Sequence, residues 1–377
     1  MSRKDSKNLE ELHQNLEQEN MGPLWSSIHN LNTIEPKSKP IPYLWKKELI
    51  HKRLKEAENL LKVGEGADRR AVFLINPGMA DLEPVGWGGA TQTLYAAVQA
   101  VKPGEIAPAH RHTTTALRFI INGHGGRGRV NGEKITFEPG DFLITPTWTW
   151  HDHTNIDDEE VLWMDCLDVP FTNFLATCFT EFHEKKQQDL TVEDDFSLKR
   201  YNGGMVRPID DREEKIAPLG RYTWKMAKDG IEGLKQLDVH PVDGYAVEYI
   251  NPTTGKDAND RIGSRMQMLP PEFHGKAHRH VHSTIYHVFK GEGYTIVNGE
   301  RFDWSEGDFL VVPTWAWHEH VNTSSDNEAF LFSTNDLPIM EAFNFERVED
   351  YPENDGHQEV TSVFEPIRVD SSAQETK

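Results

Sequence analysis

The chain has 377 residues, 37% hydrophobic and 27% charged, enough for two core-bearing domains of ordinary soluble composition. Its formal net charge of −21 repels nucleic acid and anionic membrane, and no stretch reaches the ~18–20 apolar residues that span a bilayer. Two cysteines, Cys166 and Cys178, exclude a disulfide framework and predict free thiols in a reducing compartment.

Residues 1–64 read as a helical arm. "SKNLEELHQNLEQEN" has helical patterning, and "PLWSSIHNL" and "YLWKKEL" are expected to pack as helices or to cap a pocket. The start, "MSRKDSKNLEEL", lacks the apolar segment of a secretory signal, so the expected location is cytoplasmic. Residues 65–180 form a first β-rich module. "LRFIINGHG", "KITFEPGD" and "FLITPTW" are β-branched and aromatic runs broken by Gly and Pro, and Asn131-Gly132 predicts a tight hairpin. "FTNFLATCFTEFHEKKQQ" then reads as a helix, and residues 181–235 as a linker containing a helix. A second module is placed at 236–349 and a polar, partly ordered acidic tail at 350–377.

The second module repeats the first. "AHRHTTTALRFIINGHG" from Ala109 returns as "AHRHVHSTIYHVFKGEG" from Ala277, and Asn298-Gly299 repeats the Asn-Gly turn. "GDFLITPTWTWHDHTN" from Gly140 returns as "GDFLVVPTWAWHEHVN" from Gly307, identical at 11 of 16 positions. Short, evenly spaced strands in two copies predict two small β-barrels or double-sheet jelly rolls with flanking helices.

His110 and His112, two apart, share one face of a strand, and His151 ends a later strand that an antiparallel barrel brings alongside. Three inward imidazoles cap a divalent metal and leave positions open, as catalysis requires. By the same parity Arg118 faces inward, where it needs an anion: a bound carboxylate, or an Asp or Glu of the chain itself. His153 also faces the pocket, suited to a hydrogen bond, to proton transfer or to a structural role beside the metal. In the second module His278, His280 and His318 repeat the trio, which predicts a second metal centre. There Tyr286 replaces Arg118, His282 replaces Thr114, and His287 replaces Phe119 on the outward face. Trp148 and Trp150 are expected to be packing residues.

Gly104, His110, His112 and Gly123, then Gly140, Pro146, His151 and Asn155, resemble the two cupin motifs, so the repeat looks like a bicupin: two tandem double-stranded β-helix domains, mainly β. Two departures stand out. Trp148 occupies a motif position usually held by Gly, and in the second copy Glu272 stands where Gly104 does. The Glu that many metal cupins use as a fourth ligand is absent, Ala116 and Leu117 standing there, which argues against oxalate-decarboxylase-type chemistry.

"ADRRAVFLINPGM", "HRHTTTALRFIINGHGG", "PTWTWHDH" and "WMDCLDVPF" together resemble the gentisate 1,2-dioxygenase group, which includes salicylate and 1-hydroxy-2-naphthoate ring-cleaving enzymes. The resemblance implies Fe(II) on His110, His112 and His151, a hydroxylated aromatic acid and O2 as substrates, and ring opening of gentisate to maleylpyruvate. Arg118 would hold the carboxylate and His153 would assist at the hydroxyl or oxygen. Gln99 would hydrogen-bond substrate or oxygen, and Tyr95 and Ala97 would line the approach. Of Arg69 and Arg70, one would reach the substrate while the other faces solvent. The resemblance also implies a homotetramer. The second site, where Tyr286 replaces the Arg118 clamp, could be catalytic with different contacts, structural or regulatory; the favoured reading is a metal-loaded site weaker or inactive toward the same substrate. Other readings are salicylate or hydroxynaphthoate cleavage, a metal-dependent bicupin decarboxylase or isomerase, or a binding protein without activity.

Overall fold

A computed structural model describes residues 3–63, 66–83, 88–209, 211 and 213–369. The first 37 residues form a unit of their own, with helices Arg3–Gln18 and Leu24–Leu31. No helix among the described residues is long and apolar enough to cross a membrane.

The rest carries two β-modules of eight strands each. In the first these are β1 (Tyr95–Val101), β2 (Ile106–His112), β3 (Ala116–Asn122), β4 (Gly126–Val130), β5 (Glu133–Thr136), β6 (Phe142–Thr145), β7 (His151–Asn155) and β8 (Val161–Leu167). In the second they are β9 (Gly263–Leu269), β10 (His278–His280), β11 (Thr284–Lys290), β12 (Glu292–Val297), β13 (Glu300–Ser305), β14 (Phe309–Val312), β15 (His318–Asn322) and β16 (Ala329–Asn335). Each module is two antiparallel sheets, 6-3-8-1 and 2-7-4-5 in the first and 14-11-16-9 and 10-15-12-13 in the second. This is the jelly-roll order expected of two cupins.

Both Asn-Gly pairs close hairpins as predicted. Asn131 and Gly132 have φ of +49° and +82°, Asn298 and Gly299 of +50° and +82°, the doubly left-handed turn that follows the twist of its strands.

Alternation along each strand divides the side chains between two cores. Leu117 and Phe119 on β3 join Phe142, Phe289, Phe309 and Phe332 in a core shared by both modules, where Phe119 stacks on Phe332 at 4.1 Å between ring centroids. Ile120 on the opposite face joins Val101, Ile135, Phe137, Leu143 and Trp163 inside the first module. His287 lies in the shared core against Phe119 and Phe309, outside the pocket as its parity requires.

Strands from outside the modules extend the sheets. Ala71–Phe73 pairs with β1, and Tyr245–Glu248 with β9. Their registers expose a further stretch of the repeat, "DRRAVFLINP" against "DGYAVEYINP". Tyr43–Trp45 pairs with β14, burying Leu44 in the second module's core, and the following helix Lys47–Leu60 buries Ile50 and Leu54 in the shared core. "YLWKKEL" is therefore strand then helix start, and no pocket cap.

The helix expected from Phe171 to Gln188 is also different. Only Val169–Phe174 is helical, and Thr180–Phe182 is an edge strand on β2, with Glu181 bound to Arg111. Val348–Asp350 repeats it on β10 through Glu349 and Arg279. The acidic tail is anchored too: Ser362–Val363 pairs with β13, and Gln358 binds Gly299 and Ile296. Local composition reads such segments as polar; cross-strand partners order them.

Candidate metal centres and their pockets

In the first module His110 and His151 are direct cross-strand partners on β2 and β7, and His112 follows on the same face of β2. Ring centroids are 4.2 Å apart for His110–His151, 4.8 Å for His112–His151 and 5.3 Å for His110–His112. One nitrogen from each can lie within 4.8 Å of the others. Nδ1–H donates to a backbone carbonyl in each ring: Pro108 at 3.1 Å, Thr114 at 2.8 Å and Thr149 at 2.9 Å. That fixes the tautomer and leaves Nε2 as a lone pair. Nε2 of His151 is buried and finds no hydrogen-bond partner among the described residues, a costly arrangement unless something ligates it. Burial pushes His110 down to about 2 and His112 to about 4, aided at His110 by the Arg69 charge. The rings are neutral, as metal ligation requires, and the donor set fits a divalent first-row cation.

Arg111 points outward between the rings of Trp148 and Trp150, 4.5 and 4.6 Å from their centroids, and pairs with Glu181. Arg279 does the same between Trp315 and Trp317. Trp148 and Trp315 have φ of +56° and +63°, a region usually left to glycine, which is why the motif usually has Gly there; stacking on the guanidinium offsets the strain. Both tryptophan pairs are thus packing residues. Glu272 likewise keeps the left-handed turn of Gly104, at φ +57° against +76°.

Arg118 is buried on the inward face of β3. Its Nε lies 2.9 Å from Asp165 Oδ1 on β8, and Nη1 donates to Thr145 at 2.7 Å. Asp165 is held in turn by the indole N–H of Trp163 at 3.1 Å. The internal ion pair is therefore present, and with five N–H donors the guanidinium retains capacity for an anion. Arg69 also reaches the pocket, its Nη2 2.8 Å from the ring of His110, and burial lowers it to about 10. Arg70 does not face solvent, contrary to expectation. It is 2% exposed and bound to Glu105 at 2.6 and 3.0 Å.

His153, inward on β7, is fully buried with both ring nitrogens unpartnered among the described residues, and desolvation holds it well below its usual range. Gln99 lies on the inward face of β1, opposite Trp163, its Nε2 likewise unpartnered. Tyr95 and Ala97 share that face, and burial raises the Tyr95 phenol.

The second module builds the same cage. His278, His280 and His318 have ring centroids 4.3–5.2 Å apart, and His278 and His318 are cross-strand partners. The His280 and His318 Nδ1–H groups donate to backbone carbonyls, while Nδ1 of His278 finds no partner among the described residues. The surroundings differ. By register Gly244 stands at Arg69, Arg265 at Ala97 and Thr295 at Gly128. Arg265 is engaged by Glu248 at 2.7 Å, and Thr295 lies 2.8 Å from Nδ1 of His320, the counterpart of His153. His282 stacks on His280 at 3.4 Å and pairs with Glu346. No spacing in the sequence marks Asp165 or Glu346 as a partner; the one local signal is the acid in "WMDCLD", two residues after Trp163.

The cupin domain family matches twice, at residues 97–169 and 265–334. The chain is 36% identical to gentisate 1,2 dioxygenase 1 of Aquipseudomonas alcaligenes over 91% of this chain and 96% of that one. It is 34% identical to 5-aminosalicylate 1,2-dioxygenase of Comamonas sp. over 95% and 94%. A salicylate 1,2-dioxygenase from Pseudoaminobacter salicylatoxidans, solved with gentisate, superposes with a TM-score of 0.84 at 32% identity, covering 93% of this chain and 95% of that one.

Proposed function

Since the chain belongs to the gentisate 1,2-dioxygenase family of bicupins, we propose that it opens gentisate between its carboxyl- and hydroxyl-bearing carbons to give maleylpyruvate, using Fe(II) and O2. The carrying observation is the buried, neutral His110–His112–His151 cage facing two guanidinium groups, Arg118 and Arg69. We assign catalysis to the first module, residues 65–180.

His110, His112 and His151 would hold Fe(II) through Nε2, and the bound metal would supply the redox chemistry that lets an electron-rich ring react with dioxygen. The chain's own groups do the rest. Arg118, pre-oriented by Asp165 and Thr145, binds the substrate carboxylate. A guanidinium and a cation do not share one imidazole nitrogen, so with a metal bound Arg69 would turn from His110 and would be free to contact the anion. His153, with both nitrogens uncommitted, receives a hydrogen bond from the ring hydroxyl, and the Gln99 amide donates to oxygen or carboxylate. The interior floor of Phe137, Ile120 and Trp163 excludes water.

We assign a second metal to His278, His280 and His318, in a pocket weaker or inactive toward gentisate. We also infer a cytoplasmic homotetramer. Free Cys166 and Cys178 suit a reducing compartment, and an apolar recess lined by Met79, Leu82, Phe171, Phe174, Ile339 and Phe343 suits subunit association.

Oxygen uptake by anaerobically iron-loaded protein, with gentisate, salicylate and 1-hydroxy-2-naphthoate offered separately, is the test. Uptake with gentisate supports the assignment. Uptake only with another acid moves the substrate within the family, and none with any, in protein containing iron, overturns the ring-cleaving reading.

A further inference from the structure

Glu319 lies between His318 and His320 on β15, but its side chain points to the outer face, beneath the C-terminal arm. That side chain is 0% exposed. His274, from the loop before β10, places Nε2 3.7 Å from Oε1, and His357, from the arm, places Nδ1 3.3 Å from Oε2. The two imidazole centroids are 4.2 Å apart, and one donor atom from each of the three residues lies within 4.8 Å of the others. The backbone N–H of Gln358 donates to Oε1 at 3.1 Å and orients the carboxylate.

The first module shows what this place looks like when it is closed by ordinary pairing. Asp152 stands at Glu319, equally buried. It receives Gln188 N–H at 3.0 Å and Gln187 Nε2 at 3.4 Å, with the Arg129 guanidinium 3.8 Å away. By register Arg129 becomes Ile296 in the second module, and Ile106 becomes His274. Gln187 precedes Gln188 as His357 precedes Gln358, and each second glutamine binds the hairpin glycine of its module, Gly132 or Gly299. The Arg129 guanidinium thus has no counterpart beside the buried Glu319 carboxylate, and two imidazoles stand there instead; His357 Nδ1–H donates to it while no ion is bound, and either ring can turn a lone pair to a cation. Burying a carboxylate without a compensating cation is costly. Two imidazoles and one carboxylate are a recognised zinc donor set with an open position. Bonds of about 2.0–2.1 Å in a tetrahedron put donor atoms roughly 3.3–3.4 Å apart. The imidazole nitrogens lie 3.7 and 3.3 Å from the two carboxylate oxygens, and one donor atom from each residue lies within 4.8 Å of the others, so small side-chain shifts would close the set on an ion.

We propose that His274, Glu319 and His357 bind a divalent first-row cation, zinc foremost, on the outer face of the second module. The ion staples the C-terminal arm to β15 and to the loop before β10. Water or an external ligand completes its coordination at the half-exposed His274 side.

The test uses the full-length, iron-loaded protein titrated with zinc after chelator treatment. Zinc per chain is compared for the unaltered protein, His274→Gln and His357→Gln. The unaltered protein should take up one zinc more than either variant, and the variants' affinity for that equivalent should fall by at least about tenfold. Iron content and oxygen uptake should not change, since neither residue enters the inner cage. Equal zinc counts in all three proteins overturn the proposal. Should a variant fail to fold, zinc-edge anomalous diffraction from zinc-soaked crystals of the unaltered protein decides: a peak between Glu319 and the two imidazoles supports the site, and peaks confined to the inner trios overturn it.

Discussion

The two modules share strand order, hairpins, a cross-strand histidine trio and even the outward arginine clamped between tryptophans. They part at the inward positions around the trio. The first module presents Arg118 and Arg69, and leaves His153 opposite Gly128 with no hydrogen-bond partner among the described residues. The second has Tyr286 and Gly244 there, engages its own Arg265 with Glu248, and ties His320 to Thr295. The metal cage is a property of the backbone, because strand parity and register alone bring three imidazoles together. Chemistry on an anionic aromatic substrate is a property of a few side chains that the backbone tolerates in either form. Duplication kept the first and varied the second.

The two modules should differ most in their response to loss of a ligand. His112→Ala should lose iron from the first module and reduce gentisate-dependent oxygen uptake by at least about three orders of magnitude. His280→Ala should leave uptake nearly intact while removing metal from the second module. Comparable losses in the two variants, read by metal analysis beside an oxygen electrode, would abolish the division of labour.

The next largest effect is expected at the clamp. Arg118→Met should lower kcat/KM for gentisate by roughly 30- to 1000-fold, mainly through KM, with iron content unchanged. It should also lower Tm, because it strands buried Asp165, whose carboxyl burial already pushes up. Adding Asp165→Asn should recover Tm but not affinity. An unchanged KM in Arg118→Met removes the carboxylate assignment.

Gly128→Thr copies the second module's contact onto His153. A Cβ there meets His153 Nδ1 at 3.4 Å, ordinary contact, so the fold should tolerate it. If His153 works through a free nitrogen, kcat should drop about tenfold or more with KM and iron unchanged. A kcat equal to that of the unaltered enzyme would return His153 to a packing role.

The smallest effect concerns stability alone. His287 sits in the shared core where the first module has Phe119, and burial lowers it to about 3. The unfolded chain binds a proton near pH 6.5 that the folded chain refuses until about pH 3, so stability is lost as pH falls through that window. His287→Phe should remove this contribution, at most about 1.4 kcal/mol per pH unit, and flatten the acid side of a Tm-against-pH curve. An unchanged curve would mean that the interface does not feel this imidazole.

Much of the fold and the inner cages could be read from the chain alone. Two-residue spacing puts His110 and His112 on one face, Asn-Gly dictates the hairpins, and the repeat carries each inference into the second module. These are local or periodic features, and local sterics enforce them wherever the segment lies. Partners across non-adjacent strands are another matter. Arg69 rather than Arg70 enters the pocket because Ala71 registers with Gln99. Arg118 meets Asp165 because β3 lies beside β8, and Thr180–Phe182 becomes a strand because β2 offers it an open edge. Only the folded chain brings His274, Glu319 and His357 together, from a loop, a strand and a terminal arm. Periodicity determined which face each side chain takes; tertiary packing decided what each one meets there, since that depends on segments whose adjacency no local pattern encodes.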